Sequence, residues 1–220
     1  MRANVSDEAV ARLKDLYRRN QDAIINRIHE FEHVWKKGSD VELFRELVFC
    51  LLTPQSKAKS CWEAVTNICR DDLLVSGGPD QVKTRLRSVR FHNKKSMYVV
   101  KARDVFMQNG RLSVRNLLAD FSDVFQLRDW LVTNIKGMGY KEASHFLRNI
   151  GLGNDIAILD RHILRNLHRF GVIDRMPDSL TRTRYLDIED KMREFSERIA
   201  IPLAHLDLLL WFKETGEIFK

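Results

Sequence analysis

The chemistry this chain can do is concentrated around two residues, Lys141 and Asp160, and the turns that precede them. Lys141 follows Ile135-Lys136-Gly137-Met138-Gly139-Tyr140, where an amphipathic run ends, a Gly-x-Gly turn intervenes and a second helical pattern starts at once. Glycines accept backbone angles that other residues resist. They also leave amide N–H groups bare at a helix N-terminus, which suits a phosphate. A plain helix-turn-helix corner would account for the glycines equally well. The lysine is harder to dismiss. A cation in the first turn opposes the positive end of the helix dipole, and the uncharged amine is the form a Schiff-base nucleophile needs. Further on, Leu159-Asp160-Arg161-His162-Ile163 puts Asp160 at the start of the next helix, where aspartate is a good N-cap. Taken singly, Lys141 reads as a solvated lysine and Asp160 as a cap.

The elements that must position these residues are helical almost throughout. Asp7 to about Glu32 forms one long amphipathic helix with its stripe on Val10, Leu13, Leu16, Tyr17, Ile24, Ile28 and Phe31. After the turn at Gly38-Ser39-Asp40, a strongly apolar helix covers Val41 to Leu52 and is broken by Thr53-Pro54-Gln55. Helices are predicted at about 56–69, 80–88, 93–109, 113–120, 125–135, 141–150, 160–170, 180–199 and 202–213. No segment alternates convincingly at period two, so the fold class is all-α. There is no repeat and no low-complexity linker.

Apolar residues make up 44% of the 220-residue chain and charged residues 30%, an ordinary globular balance that can bury a core without staples. No stretch is apolar over the roughly 20 residues a membrane span takes, and no secretory h-region opens the chain. The expected location is the cytoplasm, associated with the nucleoid. The three cysteines, Cys50, Cys61 and Cys69, are too few for a four-cysteine iron–sulfur cluster and read as reduced thiols.

The net charge of +7 is concentrated. Lys83, Arg85, Arg87, Arg90, Lys94, Lys95, Lys101 and Arg103 fall in one stretch with no acidic residue among them. Apolar residues interleave with them, so the stretch is folded. Clustered cations of this kind reward contact with phosphates, and Lys94 and Lys95 are taken as phosphate contacts. Phe91, within the stretch, is an aromatic on which a base could stack. Asp207 and Trp211 lie four residues apart, on one helix face. A carboxylate among Leu206, Leu208 and Leu209 is costly unless it is paired or faces a pocket.

The run Gly137-Met138-Gly139-Tyr140-Lys141-Glu142-Ala143-Ser144-His145-Phe146-Leu147-Arg148-Asn149, followed by Ala157-Ile158-Leu159-Asp160-Arg161-His162-Ile163, resembles the hairpin and catalytic loop of helix-hairpin-helix DNA glycosylase/lyases. The likeness is to their compact archaeal-type 8-oxoguanine branch, dense over 134–170 and looser at Leu52–Ser56 and Trp211–Lys220. The resemblance implies that Lys141 attacks C1′ of the damaged nucleotide and that Asp160 stabilises the oxocarbenium-like charge. The imine then permits β-elimination. It further implies that the amides of Gly137, Met138 and Gly139 hold a phosphate and that Gln55 wedges into the vacated stack. Phe91, Asp207, Trp211 and the terminal Lys220 would form the base pocket. The implied fold is two helical subdomains flanking a DNA-binding cleft. One spans 35–152 and contains the hairpin at about 125–150; the other combines 1–34 with 153–220, and Lys141 and Asp160 meet at the seam. The implied partner is double-stranded DNA carrying a damaged base, bound by a monomer with no metal and no organic cofactor. An oxidised-pyrimidine preference like that of endonuclease III, and a non-catalytic hairpin module, are the alternatives. His29-Glu30-Phe31-Glu32-His33 matches a zinc-protease pattern. It lacks an evident third ligand and is set aside as a chance match on a charged helix.

Overall fold

The computed structural model describes residues 7–220, and the all-α expectation holds across them. Contacts divide the chain into two compact units. One comprises the chain up to Phe31 together with Gly153–Lys220; the other is Glu32–Leu152. Helix α1 (Asp7–Lys37) runs through that first boundary and is one turn longer than its pattern predicts. No breaker precedes Gly38, whose amide still bonds to the Val34 carbonyl at 2.9 Å.

The Glu32–Leu152 unit is built around α2 (Asp40–Leu52). Ser39 starts this helix with a capping box: its hydroxyl accepts from the Glu42 amide, and its own amide donates to Glu42 Oε2 at 2.7 Å. Leu43, Phe44, Leu47, Val48, Phe49, Cys50, Leu51 and Leu52 are all buried. At about 1.5–3 kcal/mol for each large apolar side chain, the burial of this helix contributes substantially to the unit's stability. Around it stand α3 (Ala58–Arg70), a short α4 (Leu73–Ser76), α5 (Pro79–Arg85), α6 (His92–Phe106), α7 (Val114–Ala119), α8 (Val124–Asn134) and α9 (Tyr140–Asn149). The buried Glu46 accepts from Asn149 Nδ2 at 3.1 Å and ties α2 to α9.

Two features depart from the predicted elements. The helix expected to reach residue 109 ends at Phe106, and a two-stranded ribbon follows, β1 (Met107–Gln108) paired antiparallel with β2 (Arg111–Leu112). Its turn is Asn109-Gly110, both at positive φ, a hairpin signal that the helical pattern around it obscures. The four-residue α4 falls between the helices predicted at about 56–69 and 80–88, where the pattern places no element.

The other unit adds α10 (Arg161–Arg169), α11 (Arg182–Ile199) and α12 (Leu203–Thr215) to the first part of α1. Its core includes Leu13, Ile24 and Ile28 from α1, Leu167 and Phe170, Met192 and Phe195, and Leu206, Leu209 and Leu210. No described helix is long and apolar enough to cross a membrane. Cys50 and Cys61 are buried free thiols, while Cys69 is only half-buried.

Candidate active site

The hairpin is a short turn between α8 and α9. The Met138 amide bonds to the Ile135 carbonyl at 3.1 Å, and the buried Met138 side chain anchors the turn from below. Gly137 sits at φ +90, where a side chain would be strained. A Cβ there would also lie 2.3 Å from the Tyr98 ring. Gly139 begins α9 from extended backbone, and its amide donates to Glu142 Oε2 at 3.2 Å. Two of the three amides expected to hold phosphate are therefore engaged inside the hairpin. The donors that remain characteristic of such a site belong to Gly137 and to the first turn of α9, which has no intrahelical acceptors. Arg128, fully buried in α8, donates to Ser144 of α9 at 3.1 Å and locks the pair of helices.

Lys141 occupies the first turn of α9 with its side chain about three-quarters buried. Its ammonium lies 2.9 Å from Glu142 Oε1 and donates to the Thr53 hydroxyl at 3.4 Å. Thr53 in turn donates to the Cys50 carbonyl at 2.8 Å, at the end of α2. One carboxylate thus bonds to the start of α9 and offsets the cation placed there. Sequence reading missed Glu142 in this role, although a glutamate three residues after a helix cap is the signal that finds it. Burial pushes the Cys50 thiol well above its ordinary range, so the cysteine beneath Lys141 is an inert packing group.

The remaining predicted residues of this unit separate into exposed and buried. Gln55 is exposed on the Thr53–Ser56 loop and adopts φ +56, a conformation rare for a side-chain-bearing residue. Phe91 is 53% exposed, also left-handed at φ +59, and has the Arg90 guanidinium 5.8 Å from its ring centre. Lys94 is exposed. Lys95 is not: only 4% accessible, its ammonium donates to the Leu52 and Pro54 carbonyls, each at 2.7 Å, and to Ser56 Oγ at 3.2 Å. The expectation that Lys95 contacts phosphate is therefore corrected, because its donors are spent inside the fold. Arg103 is likewise buried on the Gly77 carbonyl, Lys83 pairs with Asp80 and Arg85 with Asp71. Lys95 and Arg103 are thus buried in the fold, Lys83 and Arg85 pair with carboxylates at the surface, and Arg87, Arg90, Lys94 and Lys101 are exposed.

In the other unit, Asp160 caps α10, its Oδ1 accepting from the Ile163 amide at 2.8 Å. The loop before it is pinned from α11. The buried Tyr185 hydroxyl donates to the Ala157 carbonyl at 2.7 Å and accepts from the Leu159 amide, while buried Glu189 accepts from the Ala157 amide at 2.7 Å. Neither residue was singled out in the sequence, since both lie in a helix whose composition is mostly charged. Asp207 is buried, and Trp211, one turn later on α12, is half-buried with His162 edge-on at 5.1 Å. Lys220 is half-buried at the chain end. A carboxylate node that sequence reading also missed joins α10 to α12. Glu214 accepts from Asn166 at 3.0 Å and Arg169 at 2.9 Å, with Arg165 at 3.6 Å and His162 at 3.9 Å. Burial raises the Glu214 carboxyl, but the Asn166 bond and the charges of Arg169, Lys213 and Arg165 outweigh it and leave the pKa lowered. A groove of about 850 Å³ in this unit, lined by Asp174, Arg175, Arg184, Lys191 and Arg198 among others, contains none of the predicted site residues.

Comparison with known proteins gives these features a context. The family model for 8-oxoguanine DNA glycosylase matches residues 24–201. A protein of Fusobacterium nucleatum named 8-oxoguanine DNA glycosylase/AP lyase is 47% identical over 94% of this chain and 96% of its own. One of the same name from Korarchaeum cryptofilum is 40% identical over 92% of each chain. The crystal structure of the Methanocaldococcus jannaschii 8-oxoguanine glycosylase/lyase in complex with a 15mer DNA containing 8-oxoguanine superposes with a TM-score of 0.87 at 35% identity, covering 97% of this chain and all of that one. With matches of this extent and identity, the chain belongs to the 8-oxoguanine DNA glycosylase family.

Proposed function

We propose that this protein excises 8-oxoguanine from duplex DNA and then nicks the strand at the abasic site, with Lys141 as the amine nucleophile. The observation that carries this reading is the lysine itself: a largely buried amine in the first turn of α9, where the helix dipole opposes a cation. In the proposed sequence the Lys141 ammonium gives up a proton, and the neutral amine nitrogen bonds to C1′ as the base departs with its bonding electrons and takes up a proton. The sugar ring opens to an imine. Loss of the C2′ proton then expels the 3′ phosphate, and the strand breaks by β-elimination. Asp160 supplies the negative charge that stabilises the cationic sugar and helps move protons. One chain carries both the amine and the carboxylate, so the reading needs no second copy.

DNA is held by the exposed Arg87, Arg90, Lys94 and Lys101 and by the hairpin, whose turn presents amides at a helix start. Gln55 fills the space that the flipped nucleotide leaves, and Phe91, Asp207, Trp211 and Lys220 face the base. Flipping costs a few kcal/mol, which these contacts must offset.

The test is borohydride trapping on a duplex with one 8-oxoguanine, comparing the wild type with Lys141→Gln. The expected result is a covalent adduct with the wild type and none with the variant, whose DNA affinity persists. An adduct that forms only on an oxidised-pyrimidine duplex would keep the mechanism and overturn the substrate. No adduct on either duplex would sink the amine mechanism.

A further inference from the structure

Two of the three exposed residues that hold left-handed backbone between α2 and α6, Gln55 and Phe91, share one buried support, while the third, Asp72, stands apart before α4. The Lys95 ammonium takes up all three of its donors on that support: the Leu52 and Pro54 carbonyls and Ser56 Oγ. Leu52 closes α2, so its carbonyl belongs to the negative end of a helix dipole and lacks an intrahelical donor. The Cys61 thiol bonds to the same carbonyl at 3.1 Å. Ser56 Oγ also accepts from the Arg90 amide at 3.0 Å. Beginning one residue later, the Phe91 carbonyl accepts from the amides of Lys94 and Lys95 and starts α6.

One ammonium and one hydroxyl therefore bind the segment on each side of them. Residues 53–56 carry Gln55, residues 90–95 carry Phe91, and each exposed side chain projects from a backbone conformation that persists only where its surroundings enforce it. An ordinary core would use an apolar residue at position 95, because burying a charge is costly unless it is fully bonded. Burial lowers the pKa of this lysine, and the fold keeps it nonetheless.

We propose that Lys95 and Ser56 form a positioning node that sets the Gln55 loop and the Phe91 turn in fixed register, so that stack invasion and capture of the flipped base are coupled. This inference rests on the glycosylase reading above. It assigns the node to base eversion and not to the amine chemistry of Lys141, whose contact with the same loop, at Thr53, is longer than its pair with Glu142. Loss of the node lets both loops relax out of the left-handed region, and the cost falls on substrates whose base must be extracted from a stack.

The experiment compares Lys95→Met and Ser56→Ala with the wild type on two substrates. One is single-turnover excision of 8-oxoguanine from a duplex. The other is borohydride trapping on a single-stranded oligonucleotide with a preformed abasic site, which has no stack to invade. A displacement of about 1 Å in a positioning element can cost about 100-fold in rate, and Lys95→Met is expected to lose excision on that order while trapping is unchanged. Ser56→Ala, which removes one acceptor shared by Lys95 and Arg90, shows the same selective loss at smaller size and decides the matter if Lys95→Met does not fold. Equal loss on both substrates, or no loss on either, overturns the node. A wild type that acts on neither substrate overturns the glycosylase reading instead, which separates the two failures.

Discussion

Two helix N-termini carry the proposed chemistry, and they are built in opposite ways. Helix α10 starts on Asp160, an anion at the positive end of a dipole, with Oδ1 bonded to the Ile163 amide at 2.8 Å. Every local term favours that residue. Helix α9 starts on a glycine and carries the cation of Lys141 in its first turn, where the local field is unfavourable. It needs Glu142 to bond both the Gly139 amide and the lysine. The first arrangement would persist in a protein with no catalytic function. The second is difficult to explain by stability alone, and such residues are where function is most visible.

That contrast can be broken most severely at Asp160. Asparagine caps a helix about as well as aspartate, so Asp160→Asn is expected to keep its thermal midpoint while excision falls roughly 10²–10⁴-fold, the range for a charge-stabilising or proton-moving group. Asp160→Ala should show the same kinetic loss and in addition lose about 1 kcal/mol of stability with the cap. Lys141→Gln should lose activity with no comparable loss of stability. Calorimetry alongside single-turnover kinetics checks all three. If asparagine destabilises as much as alanine, the two roles of Asp160 are not separable and the comparison fails.

A smaller effect distinguishes the two glycines of the hairpin. Gly137→Ala places a Cβ against the Tyr98 ring at φ +90 and is expected to cost about 1–3 kcal/mol in denaturant unfolding. At Gly139 the backbone is ordinary, and the nearest obstacle is the movable end of the Glu142 side chain at 3.0 Å. Gly139→Ala should therefore cost well under that. Equal losses would mean that close packing and φ do not define the turn.

What was legible in the chain follows the same division. Helix stripes, the Gly-x-Gly turn and the Asp160 cap are local patterns, and periodicity and capping rules read them directly. Lys95 looked like one more cation in a basic stretch, because its burial depends on the end of α2, more than 40 positions earlier, reaching the start of α6. Tyr185 and Glu189 were hidden for a related reason: α11 is rich in charge, and only the fold shows which of its polar groups turn inward to hold the Asp160 loop. The Asn109-Gly110 turn was locally legible and was lost beneath the surrounding helical pattern. Residues that act through partners distant in sequence are those that a single chain does not disclose.

The smallest predicted effect sharpens the comparison through acid titration of the α10–α12 node. The Glu214 pKa lies below the ordinary carboxylate value of 4.5, and so does that of Glu42 in the α2 capping box, where the Ser39 backbone and hydroxyl bonds lower it. A carboxylate with a depressed folded pKa gives stability that is fully present above 4.5 and is lost as pH falls through the folded value. Glu214 faces Arg165, Arg169 and His162 of α10 and Lys213 of its own helix. Because the Arg165 and Arg169 side chains are 41% and 52% exposed, each pair is worth about 1 kcal/mol or less. Glu214→Gln is therefore expected to be slightly less stable at neutral pH and to converge on the wild type once the carboxyl is protonated in both states. Thermal midpoints followed from neutral pH to below the folded pKa provide the check. A gap that stays constant across that range would show that Glu214 acts through packing and its bond to Asn166 and not through its charge.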